Sequence, residues 1–290
     1  MEVRLENLAF AYGSTTIFED VNVTIDKPEL VCILGPNGAG KSTLMHCINK
    51  LRTPTHGDVF LDGRNLKDYT LKELAKVVSF VPHQEDTTFS LSVLDTVLLG
   101  RTPHAGAVLS PEDVQLGIEN IKLLGMEEFA FHGFDELSAG QHQKVMIARS
   151  LTQEPKLMLL DEPTANLDVK YQMLVMRLLR DVARLKKITV ITICHDLNVT
   201  AKYADRVIML YDHHIYSDGT PTEVLTEENI SLLYGIECKV MELQGRPLIA
   251  LLDGPGLDSH LEENSTVRTA GGSDDDSVAS GDSAGQDAGE

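Results

Sequence analysis

From Leu30 to Thr43 the chain reads LVCILGPNGAGKST. Five unbroken apolar residues suit a strand buried on both faces. The next eight, Gly35, Pro36, Asn37, Gly38, Ala39, Gly40, Lys41 and Ser42, fit the pattern G-x-x-x-x-G-K-[ST]. Few folds accept such a string. It needs a buried strand, a tight glycine turn and a helix in direct succession, so that turn amides and the helix N-terminus surround a phosphate. Glycine serves there because a Cβ would block close approach. Lys41 supplies a point charge for β- and γ-phosphates, Ser42 a hydroxyl for Mg²⁺, and Thr43 opens an apolar helix expected to run to about Leu51. A chance glycine turn would not require a buried strand before it and a helix after it.

Two further strand ends carry chemistry. In LMLLDEP four apolar residues end in Asp161 and Glu162, at the edge where ligands bind in open α/β sheets. Asp161 can hold Mg²⁺, and Glu162 beside it can polarise an attacking water. Taken alone, the pair reads as a solvated strand end; the phosphate loop changes that weighting. ITVITICHD brings His195 out after a β-branched run, where it can reach a γ-phosphate oxygen or the water. A lone histidine is more often structural. Kinases, GTPases, helicases and transport ATPases all remain open at this point. A GTPase would want N-K-x-D, and the nearest string, NKLR from Asn49, lacks the aspartate.

Around these strands the pattern alternates. VRLENLAFAY and VNVTI read as an antiparallel region with a turn at Gly13, and GDVFLDG and KVVSFVP as short strands. The stretch from about 85 to 154 is mostly helical. KLMLLDEP, ITVITICH and RVIMLY are strands, with a long helix in YQMLVMRLLRDVARLKK. The expected fold is α/β: a P-loop NTPase with a mainly parallel sheet and helices on both faces, an N-terminal antiparallel β region and an inserted α-helical subdomain. The expected domains are 1–253, with the helical subdomain at 85–154, and an acidic tail at 254–290. The formal charge is −19, of which nine Asp/Glu and one Arg from Gly254 onward give −8. That balance argues against a nucleic-acid or anionic-membrane surface. The tail buries too little apolar surface to offset ordering entropy, so it is expected to be disordered. No apolar run nears the ~18 residues of a membrane span, and no secretory leader is visible. Cys32, Cys47, Cys194 and Cys238 lie far apart in sequence with no CxxC, and are expected to be plain packing in a reduced compartment.

One stretch does not fit a simple helix start. ELSAGQHQKVMIAR, Glu136–Arg149, puts small residues ahead of an apolar helix face, although a cap would need only Ser138. With LSAGQ (Leu137, Ser138, Ala139, Gly140, Gln141) about twenty residues before LLDEPTANLD, and His195 beyond, the sequence resembles the nucleotide-binding subunit of ABC transporters over residues 1–253. The order of four motifs is far more specific than the phosphate loop alone. The resemblance implies ATP and Mg²⁺ as substrate and cofactor, and a homodimer packed head to tail. In it Ser138 and Gly140 meet the γ-phosphate bound by the other subunit, with the small residues leaving Ser138 and the first helical amides bare. Ala139 replaces the usual central Gly, a change that is costly only if the position needs φ > 0.

The same resemblance implies that Tyr12 stacks on adenine and that Asp168 couples the two sites. Glu162 would be the catalytic base and His195 the switch histidine. The family's γ-phosphate-sensing Gln directly follows Pro; FVPHQED puts His83 there and Gln84 one step later, and Gln84 is favoured to reach the metal, the alternatives being that His83 stands in or that contact is water-mediated. The implied partners are permease subunits and an extracytoplasmic substrate-binding protein, with the chain on the cytoplasmic face of the cell membrane. FSLSVLDTVLLGRTPH and GTPTEVLTEENISLLYGIECKV are similar to importers of iron(III)–siderophore, haem or cobalamin complexes. The alternative is a soluble ABC-type ATPase of DNA repair or translation. Leu137 lies only 96 positions after Lys41, without the heptads of a coiled-coil insertion, and there is one cassette instead of two.

Overall fold

Ten residues at the N-terminus alternate between buried and open positions along β1 (Val3–Tyr12), which pairs antiparallel with β2 (Thr15–Ile25). The computed structural model describes residues 1–83, 91–104 and 108–252. Gln84 and the tail from 254 lie outside them. After β2 come β3 (Leu30–Leu34), α1 (Lys41–Ile48), β4 (His56–Leu61), β5 (Arg64–Asn65), α2 (Leu71–Leu74) and β6 (Val78–Val81). Helices α3 (Val93–Leu98), α4 (Pro111–Leu123) and α5 (Ala139–Thr152) precede β7 (Leu157–Leu160). Then follow α6 (Val169–Lys186), β8 (Thr189–Ile193), α7 (Leu197–Tyr203), β9 (Arg206–Tyr211), β10 (His214–Gly219), α8 (Pro221–Val224), α9 (Glu227–Tyr234), β11 (Glu237–Leu243) and β12 (Arg246–Leu252). The helix after the phosphate loop covers 41–48, so it starts two residues before the expected point and stops three short of Leu51.

The central sheet runs β10-β9-β3-β8-β7-β6. All its pairs are parallel except β9 with β10. β3, β7 and β8 are buried throughout, as continuous apolar runs should be. Their side chains divide between two cores by period two. Leu30, Cys32, Leu34, Met158, Leu160 and Val190 face one core, which packs α5 and α6. Val31, Ile33, Leu157, Leu159, Ile191 and Ile193 face the other, closed by α1 and the inner faces of β1, β2 and β4. Helices therefore cover one face, whereas the second carries α1 together with the antiparallel sheet β2-β1-β4-β5. Phe18 and Leu8 are fully buried there, each contributing roughly 1.5–3 kcal/mol of burial.

The GRTPH segment has a packing explanation. A Cβ on Gly100 would lie 2.1 Å from the carbonyl oxygen of Arg149, so the chain after α3 touches α5 backbone to backbone. Arg101, almost fully buried, donates from Nε to Asp113 (2.6 Å) and from Nη1 to the Thr152 carbonyl (3.0 Å) and Glu154 (2.8 Å). His104 Nε2 lies 2.9 Å from the Gln153 carbonyl. These residues fasten α3 and α4 to the end of α5.

Candidate functional site

Because β3, β6, β7 and β8 run parallel, their C-terminal ends share one edge. From β3 emerges the glycine loop, from β8 Cys194 and His195, from β7 Asp161 and Glu162, and from β6 Pro82 and His83. Two bonds past the strand ends set their register: Cys194 N donates to Ile33 O (3.2 Å) and Asp161 N to Val81 O (2.9 Å).

The loop closes tightly on its surroundings. A Cβ on Gly35 would sit 2.3 Å from Leu210 O, and one on Gly40 2.5 Å from an Ile17 methyl. Gly40, at φ 95°, is the N-cap of α1 and makes no side-chain cap bond. The Lys41 ammonium turns back into the loop and donates to Gly35 O (2.9 Å) and Pro36 O (2.8 Å). Burial pushes its pKa below the usual lysine value, while Glu162 and Asp161 pull the other way. Ser42 Oγ donates to Asp161 Oδ1 at 3.1 Å, joining loop and acidic strand end. Burial holds the Asp161 carboxyl above the ordinary range against that hydrogen bond, and Glu162 adds to the rise.

Glu162 adopts φ 52°, the left-handed region, at a cost on the order of 1–3 kcal/mol. Its carbonyl accepts from Ala165 N (3.1 Å), so the chain turns at once after β7. The carboxylate lies between two imidazoles. Oε1 is 2.6 Å from His195 Nε2, and Oε2 is 3.5 Å from His83 Nδ1. A cleft of about 320 Å³ lies alongside, lined by Tyr12, Ile17, Lys41, Ser42 and Glu162 among others. Tyr12 is half exposed, packs edge-on against Phe10 at 4.9 Å, and has the Arg52 guanidinium 5.6 Å from its ring centre.

The start of α5 belongs to a different environment. Ser138 and Ala139 are exposed, while Leu137 and Gly140 are buried. Ser138 is the N-cap of a capping box: Gln141 N donates to its Oγ (3.4 Å), and Gln141 Oε1 accepts from Ser138 N (2.8 Å) and Oγ (2.9 Å). The expectation that Ser138 and the first amides stand bare is corrected here. The hydroxyl and the Gln141 amide are engaged, and the Ala139 and Gly140 amides are the ones the box leaves out. Ala139 is the first α-helical residue and has no positive φ, so its methyl costs nothing in backbone strain. Gly140 is needed for packing, since a Cβ would meet the Tyr171 ring at 2.8 Å. Asp168 Oδ1 caps α6 by accepting from Tyr171 N (2.9 Å), so the two helix starts meet through Tyr171.

Sequence reasoning missed several of these neighbours. His83 was second choice to Gln84, yet it reaches Glu162. Tyr171 and Arg52 had no motif to mark them. Cys32 and Cys194, 162 positions apart, bring their sulfurs to 3.4 Å because β3 and β8 are adjacent, and all four cysteines are free and buried. None of these contacts has a local signal; each needs the strand order.

The chain is similar to known proteins over most of its length. The family model described as ABC transporter matches residues 18–165. The ferric enterobactin transport ATP-binding protein of Escherichia coli K12 is 36% identical over 254 residues, covering 86% of this chain and 94% of that protein. An inward-facing structure of a putative metal-chelate type ABC transporter aligns at 30% identity with a TM-score of 0.76, over 87% of this chain and 97% of that one. A dimeric ATP-binding cassette in a post-hydrolysis state with ADP and Pi aligns at 34% identity and TM-score 0.67, over 76% of this chain and 98% of the other.

Proposed function

The chain belongs to the ABC transporter family as an ATP-binding, ATP-hydrolysing subunit, and we propose that it powers import of an iron(III)–chelate compound through a membrane permease. The observation that carries the chemistry is Glu162 at the end of β7, 2.6 Å from His195 and beside the glycine loop. The cargo reading rests on the ferric enterobactin relative and the metal-chelate type neighbour. No helix among the described residues is long and apolar enough to cross a membrane, and in this reading the permease supplies the membrane-spanning helices. In this reading the protein lies on the cytoplasmic face, and a substrate-binding protein delivers cargo outside.

The residues take these roles. The loop 35–43 and the N-terminus of α1 hold the phosphates, with Lys41 exchanging its carbonyl partners for phosphate oxygens. Tyr12 offers its ring face to adenine. Glu162 orients the attacking water and accepts its proton, and His195 holds the carboxylate while reaching the γ-phosphate. Ser42 and Asp161 are hard oxygen donors brought to 3.1 Å, and the Asp161 charge is costly in its buried position. Both features suit Mg²⁺, which keeps waters and binds through few protein oxygens plus phosphates. Bound there, it would neutralise charge on the β- and γ-phosphates. Gln84 remains the proposed further ligand. A second copy completes the site: its Ser138, Ala139 and Gly140 cap the phosphates, and Asp168 relays closure to the partner. Purified protein should hydrolyse ATP and co-purify with permease subunits. A strain lacking it should lose uptake of radiolabelled iron(III)–siderophore; unchanged uptake would remove the cargo assignment and leave the ATPase intact.

A further inference from the structure

Glu162 presents one carboxylate oxygen to each of two histidines, and only one of them stands where the family resemblance puts a histidine. We propose that His83 is a positioning residue for Glu162, fixing the rotation of its carboxylate from the side opposite His195.

A glutamate's terminal torsion is broad and two-fold, so one partner leaves the carboxylate plane poorly set. His195 takes Oε1 at 2.6 Å. His83 Nδ1 stands 3.5 Å from Oε2, slightly beyond a direct hydrogen bond and within reach of one after a small side-chain shift. With its proton on Nδ1, His83 donates to Oε2 and the plane is held at both ends. The histidine is not placed there by a wandering loop. Val81 pairs with Leu160 in the parallel register of β6 and β7, and Val81 O accepts from Asp161 N at 2.9 Å. Residue 83 is thus held two steps beyond a fixed point, opposite Glu162 two steps beyond its own. Both side chains are partly exposed, at 39% and 25%, and Glu162 lines the cleft, so a water can reach the carboxylate that His83 faces. A base must lie within about 2.6–3.2 Å of the proton it takes, and a misplacement near 1 Å costs up to about 100-fold. Orientation of this carboxylate is therefore worth a dedicated residue. The inference uses the ATPase activity alone, so a wrong cargo leaves it standing.

The test compares the full chain with His83→Ala, His83→Phe and His83→Gln, each made with Glu162 intact and in Glu162→Gln. Steady-state and single-turnover ATP hydrolysis, ATP binding and Tm are measured. His83→Ala and the ring-retaining His83→Phe should lower kcat by about 10-fold to 100-fold, with KM, ATP binding and Tm unchanged. His83→Gln, which keeps an N–H donor, should recover most of that loss. In Glu162→Gln neither His83→Ala nor His83→Phe should slow single turnover further, because the group being positioned is gone. An equal fractional loss in Glu162→Gln would overturn the proposal. So would weakened ATP binding in both backgrounds, which would put His83 on the nucleotide, or an unchanged kcat in His83→Ala and His83→Phe.

Discussion

Helices α1 and α5 both offer an N-terminus to phosphate in this reading, yet they are built in opposite ways. α1 starts at a left-handed glycine with no side-chain cap, and Leu44, Met45, Cys47 and Ile48 bury it in the core. α5 starts at an exposed serine inside a complete capping box. A glycine in place of a capping side chain costs on the order of a few tenths of a kcal/mol. α1 can bear this because tertiary burial holds the helix, and its amides stay free. α5 begins at the surface and keeps its cap, giving up one amide and retaining two. The difference teaches that the half-site serving the chain's own nucleotide is stabilised by the fold. In this reading the half-site serving a partner must be stable before the partner arrives.

Three changes sharpen or break that contrast. The largest effect is expected at the buried half. Glu162→Gln should cut kcat by about 10²–10⁴-fold while leaving α5 untouched. ATP should then trap a dimer visible by gel filtration, and a monomer under saturating ATP would separate the two halves altogether. Next comes the packing under α5. Gly140→Ala puts a methyl 2.8 Å from the Tyr171 ring, an overpacking expected to cost about 1–3 kcal/mol, read as a lower denaturant midpoint. Tyr171→Leu in the same chain should recover part of it. Stability equal to wild type would show that α5 and α6 are not locked together. The smallest effect is Ala139→Gly, which restores the residue usual in the family. Helix propensity sets its cost below about 1 kcal/mol, and turnover should not change. A several-fold faster turnover would mean that the methyl obstructs docking, against the helical backbone seen at this position.

Legibility in the sequence followed locality. The phosphate loop was readable because strand, turn and helix are contiguous from Leu30 to Ile48. Asp161 was readable because LMLL ends on it, and the strand–helix alternation implied the parallel sheet. What stayed hidden came from strand order. β6, β7 and β8 are neighbours in space, with α3, α4, α5 and α6 intervening in sequence. Hence the proximity of His83, Glu162 and His195, and of Cys32 and Cys194, cannot be read from spacing. The left-handed backbone of Glu162 was equally invisible, since glutamate seldom adopts it. The GRTPH segment shows a different limit. It resembles a group of importers, yet the contacts it makes among the described residues are ones that hold helices together.

The ammonium of Lys41 makes two bonds to carbonyls of its own loop, and this has a kinetic consequence. In the proposed site a phosphate oxygen reaching it would displace a carbonyl, so arrival would be an exchange of ligands around an almost fully buried cation. The lysine also braces the turn into which that phosphate must fit. Little ordering entropy then remains to be lost on association, and a nucleotide's dwell time should depend on how well its oxygens outcompete Gly35 and Pro36.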